Sequence, residues 1–376
     1  NPDLHKIEMT GVSQEITFEP KSGHLAQIGF EVQQGTINYR FYEIRFGSGK
    51  NSLDSINLNL DRGLFQANIW SQYSFRPVND FLISAGIRSD FREGTKQVLL
   101  DPRVSVLWKL TDPVLIKGSV GYYSQFQPWD RVDIASGSPV FQKPEKSIQL
   151  HSTLIMYPFQ NITIESGLYI KNYYQLFDDQ TFNFEDRILL FNPIRDDFNP
   201  TSGSSRGFDL MAKQTEPFHY WLVSTGFGES TLEDGKITVP RIFFNTWKFE
   251  LAFGIKTLSN FTFDLQWKNQ SGVPYTEQFN PVLLEDPDIS AFFVEYGRRN
   301  GKLTAGNQFL KIKAGKTFET KWVRILIYGG FYNLFDRKEP LENHTIVNQN
   351  RSVQIPINTK VEIPRVFFTG ISFEGF

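Results

Sequence analysis

The sequence predicts an all-β fold, a transmembrane antiparallel β-barrel, and three observations carry the prediction. Apolar and polar residues alternate with period two in segments of about ten residues, the length of a tilted membrane-spanning strand. Short and long connections alternate between these segments, as in barrels with tight turns on one side of a membrane and long loops on the other. Helical periodicity is nearly absent, and no window approaches the roughly 18 consecutive apolar residues of a transmembrane helix.

Alternation is clear at residues 26–32, 65–75, 104–110, 148–156 and 162–170. Over 247–255, Trp247, Phe249, Leu251, Phe253 and Ile255 share one face, and Lys248, Glu250, Ala252 and Gly254 the other. Over 261–267, Phe261, Phe263, Leu265 and Trp267 alternate with Thr262, Asp264 and Gln266. About sixteen such segments fit the chain. A last strand at 364–376 that ends inside the cell envelope sets the sides. Counting back from it, long connections fall at 336–360, 271–304, 230–240, 177–204, 125–146, 91–98 and 47–61. Tight ones fall between them at 319–321, 258–260, 215–218, 158–161, 111–113, 77–80 and 34–35. A soluble sandwich or propeller also alternates, but its strands usually run only about five or six residues. Such a fold has no reason to keep its long loops on one side.

Lipid tolerates no open sheet edge, because an unpaired backbone group in hydrocarbon costs several kcal/mol. The strands must therefore close, here or with partners elsewhere. The apolar faces are expected against outer-membrane lipid, with Tyr73, Phe75, Trp108, Tyr122, Tyr157 and Trp322 as candidates for the interfacial girdles. The Lys, Glu, Gln and Asn faces would line a wet or plugged lumen.

Composition agrees. Aromatic residues make up 15% of 376, with 36 Phe, 14 Tyr and 7 Trp, yet the mean hydropathy is -0.32, so polar residues are interleaved throughout. Net charge is -2, from 39 basic and 41 acidic residues, which offers no global field for nucleic acid. The absence of cysteine excludes disulfides and thiolate metal sites. The N-terminus, Asn1-Pro2-Asp3, lacks the zones of a signal peptide, and the expectation is that an exported barrel is shown here in processed or truncated form.

Motifs for catalysis are weak. Gly203-Ser204-Ser205-Arg206-Gly207 fits the hydrolase pattern G-x-S-x-G, but that pattern needs a strand turning sharply into a helix, and 208–213 reads as strand. Gly47-Ser48-Gly49-Lys50 lacks the first glycine and the final Ser or Thr of a phosphate loop. His5, His24, His151, His219 and His344 are dispersed, with no two at ligand spacing. Glu285, Asp286 and Asp288 could offer oxygen ligands to calcium, although a solvated acidic loop accounts for them better. No enzyme, cofactor or metal centre is expected.

From about Gly63 onward the chain resembles the TonB-dependent outer-membrane receptors. The likeness is carried by Ala85-Gly86-Ile87-Arg88-Ser89-Asp90, Asp101-Pro102-Arg103-Val104-Ser105, Lys117-Gly118-Ser119-Val120-Gly121-Tyr122, Gln142-Lys143-Pro144-Glu145-Lys146-Ser147 and Ser205-Arg206-Gly207-Phe208-Asp209-Leu210. Its most specific matches are Ser271-Gly272-Val273-Pro274-Tyr275-Thr276 and Asn333-Leu334-Phe335-Asp336-Arg337. The end, 364–376, is similar to the family's final strand with its terminal aromatic, here Phe376. Gly375 departs from it by taking Phe376 out of parity with Phe373, which a terminal bulge or frayed end would restore. At 303–312 the family's aspartate is replaced by Asn307, Leu310 and Lys311.

Family barrels have twenty-two strands around a plugged lumen, so sixteen would be strands seven to twenty-two. The resemblance implies that 1–376 is the C-terminal part of the barrel domain, with plug, TonB-binding box and first strands upstream. It further implies active uptake of a scarce nutrient of siderophore-iron, cobalamin or oligosaccharide type, driven by TonB. A plugless diffusion porin, and a barrel serving as a structural or adhesive platform, are the alternatives. Substrate contacts are expected in the loops 125–146, 177–204 and 271–304, where Trp129, Arg131, Phe182, Phe184, Phe292, Tyr296, Arg298 and Arg299 combine aromatic faces with guanidinium groups.

Overall fold

The computed structural model describes residues 4–46, 53–95, 97–128, 141, 143–176, 200–242, 244–276, 282–286, 289–293, 297–337, 339–344, 357–361 and 364–375. In chain order the strands are β1 (Leu4–Lys21), β2 (His24–Phe46), β3 (Leu53–Val78), β4 (Phe81–Arg92), β5 (Gln97–Thr111), β6 (Val114–Gln125), β7 (Glu145–Phe159) and β8 (Ile162–Gln175). They continue with β9 (Ser202–Thr215), β10 (His219–Glu233), β11 (Thr238–Pro240), β12 (Trp247–Lys256), β13 (Phe261–Gln270), β14 (Pro274–Tyr275), β15 (Val282–Asp286) and β16 (Ile289–Phe293). The last are β17 (Lys302–Leu303), β18 (Asn307–Glu319), β19 (Val323–Tyr332), β20 (Glu339–His344), β21 (Ile357–Val361) and β22 (Val366–Gly375).

One antiparallel sheet of sixteen strands dominates, in the order β1 to β10, β12, β13, β18, β19, β22, with β11 paired on β10 as the sixteenth. Each long strand pairs with its neighbours along the chain, a meander that tight turns impose. The remaining short strands form three two-stranded ribbons, β14–β17, β15–β16 and β20–β21, all inserted in connections that the sequence reads as long.

Register carries one apolar face across the sheet. Ile16 sits opposite Ile28 and Phe30 opposite Ile69. Val120 faces Leu150, and Leu150 faces Ile170. The row continues through Leu168, Phe208, Phe227 and Trp247, then Leu251, Trp267 and Leu310, and ends at Phe331 opposite Phe367. These side chains face outward: Ile69 is 57%, Leu168 59% and Ile371 59% exposed. Buried hydrophobics number only six among the described residues, Ile37, Leu64, Leu99, Phe126, Leu232 and Val239. A soluble sandwich would invert that ratio, so the belt is a lipid-facing surface. Tyr73, Trp108, Tyr157 and Trp322 are exposed beside the tight turns, where a girdle is expected, and Tyr122 packs against Tyr174 at 5.9 Å near the opposite end.

Four sequence expectations need correction. No turn exists at Gln34-Gly35, because β2 runs straight through, with Gln34 opposite Thr10 and Phe65. The turn lies instead at Ser22-Gly23, where Gly23 adopts φ 77, a conformation that costs glycine little. The long connection expected at 47–61 is mostly strand, since β3 begins at Leu53. The connection expected at 91–98 is only residues 93–96, and 230–240 contains a tight hairpin, with Leu232 opposite Val239. The register of β22 is continuous through Gly375, opposite Val323. Phe376 lies outside the described residues, as do Gly47-Ser48-Gly49-Lys50.

Candidate functional site

On the long-loop side a hydrogen-bonded construction is built on Ser271-Gly272-Val273-Pro274-Tyr275-Thr276. Ser271 ties the end of β13 to the start of β12: its Oγ accepts the Thr246 N–H at 2.8 Å, and its carbonyl accepts Asn245 Nδ2 at 2.5 Å. A Cβ at Gly272 would overlap the Thr304 carbonyl, so glycine is required by the close approach of two backbones. Thr304 N–H donates to the Val273 carbonyl, and the Val273 N–H donates to Thr304 Oγ1, both at 2.9 Å. Beyond them Asn300, buried and at φ 51, donates its N–H to Thr276 Oγ1 at 3.0 Å and its Nδ2 to the Pro240 carbonyl at 2.7 Å. Asparagine tolerates this left-handed conformation better than other L-residues. Three loops, at 238–241, 271–276 and 297–304, are thereby fastened together.

Arg298 and Arg299 ride on the last of these loops, in a turn closed by the Gly301 N–H on the Arg298 carbonyl at 2.9 Å. With Ile237, Thr238, Val239 and Gly297 they line a cavity of about 390 Å³. Of the eight residues singled out by sequence, these two are brought together. Phe292 lies on β16, in register with Leu283, but its side chain is outside the description. Trp129, Arg131, Phe182, Phe184 and Tyr296 lie outside the described residues. So do the side chains of Glu285, Asp286 and Asp288.

A second tight structure caps β19. Asn333, at φ 51, accepts the Arg337 N–H at 3.2 Å and donates Nδ2 to the Arg337 carbonyl at 2.9 Å. Asp336 Oδ1 accepts the Arg365 N–H at 2.8 Å, which joins the outer ends of β19 and β22. The two most specific motifs of the likeness are thus turns whose side chains replace missing backbone partners.

The inner face is polar and closely paired. Arg88 makes a bidentate contact with Asp90, Nη2 to Oδ1 at 2.8 Å. Lys248 lies 3.4 Å from Asp209, Lys268 lies 3.6 Å from Glu250, and Gln266 donates to Glu250 at 2.6 Å. Arg92 stacks on Phe126 at 4.6 Å and donates to Gln66 at 2.8 Å and to the Gln127 carbonyl at 2.5 Å, anchoring the start of the 126–144 connection. Large rings lie flat along the wall over glycines: Trp70 over its register partner Gly29, Tyr169 over Gly207, Tyr220 over Gly254 and Tyr328 over Gly370. This pairing fills the space a missing Cβ leaves and keeps the rings off the lumen. Sequence reasoning missed it, since it needs the register.

Ser205 lies inside β9, its Oγ 2.6 Å from Ser230 Oγ on β10. Uninterrupted strand geometry excludes the nucleophile elbow there. Among the described residues no three His, Asp or Glu side chains converge as metal ligands.

Compared with family models and with curated proteins, the sequence matches none. Solved structures do match. The ferric-catecholate import receptor Fiu of E. coli K12 in its closed form superposes with a TM-score of 0.62 at 12% identity, over 99% of this chain and 55% of that one. The ferric citrate transporter FecA in unliganded form gives 0.60 at 15%, over 100% and 55%. The siderophore receptor PirA of Acinetobacter baumannii gives 0.61 at 12%, over 99% and 55%. The chain spans about half the length of the structures it matches. Over its whole length, then, it has the fold of the outer-membrane β-barrel of TonB-dependent receptors.

Proposed function

We propose that the chain is the C-terminal part of a receptor barrel that imports a scarce nutrient across the outer membrane, powered by TonB through a segment outside the present sequence. The observation that carries this reading is the match of the entire chain to about 55% of several receptors. Strand parity agrees: fifteen meandering strands leave β1 and β22 pointing the same way, so an antiparallel closure needs an odd number of further strands. Seven would complete twenty-two, with β1 as the eighth strand rather than the seventh. The names of the similar structures, ferric-catecholate, ferric citrate and siderophore receptors, favour a metal chelate over cobalamin or an oligosaccharide. The loops bind cargo and the wall gates it, with no covalent chemistry.

The test is uptake in the source cell. Labelled ferric citrate, cobalamin and a maltooligosaccharide are offered to cells with the intact gene, without it, and with it but lacking TonB. The reading expects one cargo whose accumulation needs both; accumulation that needs the gene but survives loss of TonB would indicate a diffusion pore.

A further inference from the structure

A single charge stands on the lipid-facing side of the C-terminal strands. Outward positions alternate along β12, β13, β18, β19 and β22, starting from Trp247, Phe261, Gln308, Val323 and Phe367, and every one of them is uncharged except Lys316. The carboxylates of these strands, Glu250, Asp264, Glu319 and Glu374, lie on the inward rows, and the tight turns 257–260 and 320–322 hold none. Arg206, an outward cation of β9, is by contrast paired with its register partner Glu229 on β10 at 2.5 Å. Lys316 sits at the membrane boundary. Its register partner Phe261 is the first residue of β13, and the Thr317 N–H donates to the Asn260 carbonyl in the adjoining turn at 2.9 Å. That turn carries Leu258, 90% exposed, and the next turn along the sheet carries Trp322, 78% exposed. Large apolar side chains on tight turns fit a lipid interface better than water.

The Lys316 ammonium is held over two outward rings, 4.4 Å from the centroid of Phe261 and 5.3 Å from that of Phe318, which fixes its place without neutralising it. A cation on a lipid face costs least where it reaches the headgroups, and there the anion has to come from the lipid. We infer that Lys316, between Phe261 and Phe318, binds the phosphate of an anionic phospholipid in the leaflet on the tight-turn side, which is the periplasmic one. A lipid with net negative charge is favoured over a zwitterionic lipid, whose own ammonium competes for the phosphate. The inference depends on the barrel fold and not on what the barrel imports.

Full-length protein in a non-ionic detergent is titrated with phosphatidylglycerol, with phosphatidylcholine of the same acyl chains and with inorganic phosphate, and the lipid retained is counted by native mass spectrometry. Phosphatidylglycerol is expected to bind about fivefold more tightly than phosphatidylcholine, and inorganic phosphate not to be retained. K316Q should bring phosphatidylglycerol down to the level of phosphatidylcholine, whereas K316R should keep the preference. K313Q, which removes an inward charge of the same strand, should leave it unchanged. A folded-barrel shift in gel mobility on heating shows that each variant is intact, and removal of a lone lipid-facing charge is not expected to unfold the barrel. Equal affinity for the two lipids in the unaltered protein, an undiminished preference in folded K316Q, an equal loss in K313Q, or retention of inorganic phosphate in place of lipid overturns the inference.

Discussion

Strands β2 and β3 run for 23 and 26 residues, whereas β12, β13 and β19 run for 10 each. About ten residues suffice to cross a bilayer, so the first wall continues far above the lipid and the second stops at its surface. The outward face of the tall wall changes character on the way. Ile28, Phe30, Val32 and Ile69 are apolar and exposed; Gln34, Thr36, Arg40 and Asp61, farther along the same face, are exposed and polar. On the inward face the order reverses, from Glu31, Gln33 and Asn68 to the buried Ile37 and Leu64. Alternation therefore reports what surrounds a strand and not the strand itself. On the short wall the two coincide, and the apolar runs of β12 and β13 mark their ends closely.

The largest effect should come from crossing this line with charge. Ile69→Arg, in the lipid belt, is expected to cost about 2–4 kcal/mol of folded stability, and Thr36→Arg less than about 0.5. Denaturant titration of the barrel in lipid vesicles, followed by tryptophan emission, checks both; equal costs would break the contrast between the two levels of one wall. At the mouth of the short wall, Gly272→Ala should cost about 1–3 kcal/mol, because the added Cβ forces apart the backbones at Thr304. The same titration would detect it, and a neutral result would mean that the two loops are not in contact.

Proline sharpens the comparison within β2. Gln34→Pro should remove a ladder hydrogen bond at a cost of about 1–3 kcal/mol, whereas Ser22→Pro, in the turn, should be nearly neutral. The reverse order of thermal stabilities would restore a turn at 34–35.

The smallest effect is at the β10–β11 hairpin. Backbone N–H groups of Ile237 and Lys236 hold the Asp234 carboxyl below its usual range. Since its folded value is depressed, the hairpin gains stability above the unfolded value near about 4 and loses it as pH falls through the folded value. Hydrogen exchange at the amides of Lys236 and Ile237, corrected for intrinsic rates, should lose protection between about pH 5 and about pH 3. Asp234→Asn should flatten that change.

Much of this fold is legible in the sequence. The turns at 79–80, 112–113, 160–161 and 320–322 follow from apolar runs that end at turn-forming residues such as Asn79-Asp80 and Asp112-Pro113. The break read at 34–35 fails for the reason the tall wall shows: Gln33-Gln34-Gly35 marks the end of lipid, not of pairing. At the mouth, Arg298 and Arg299 stand out by type alone. Asn300, which fixes them, does not, because its partner Pro240 is 60 residues away.

By itself the sequence determined the strand period, the lipid-facing residues and which side bears the long loops, since each follows from a residue's own polarity and that of its near neighbours. Only the tertiary structure decided which glycine lies beneath which ring, where β2 truly turns, and which loops meet around the two arginines. Those contacts depend on register and on the meeting of distant segments, which local polarity leaves open.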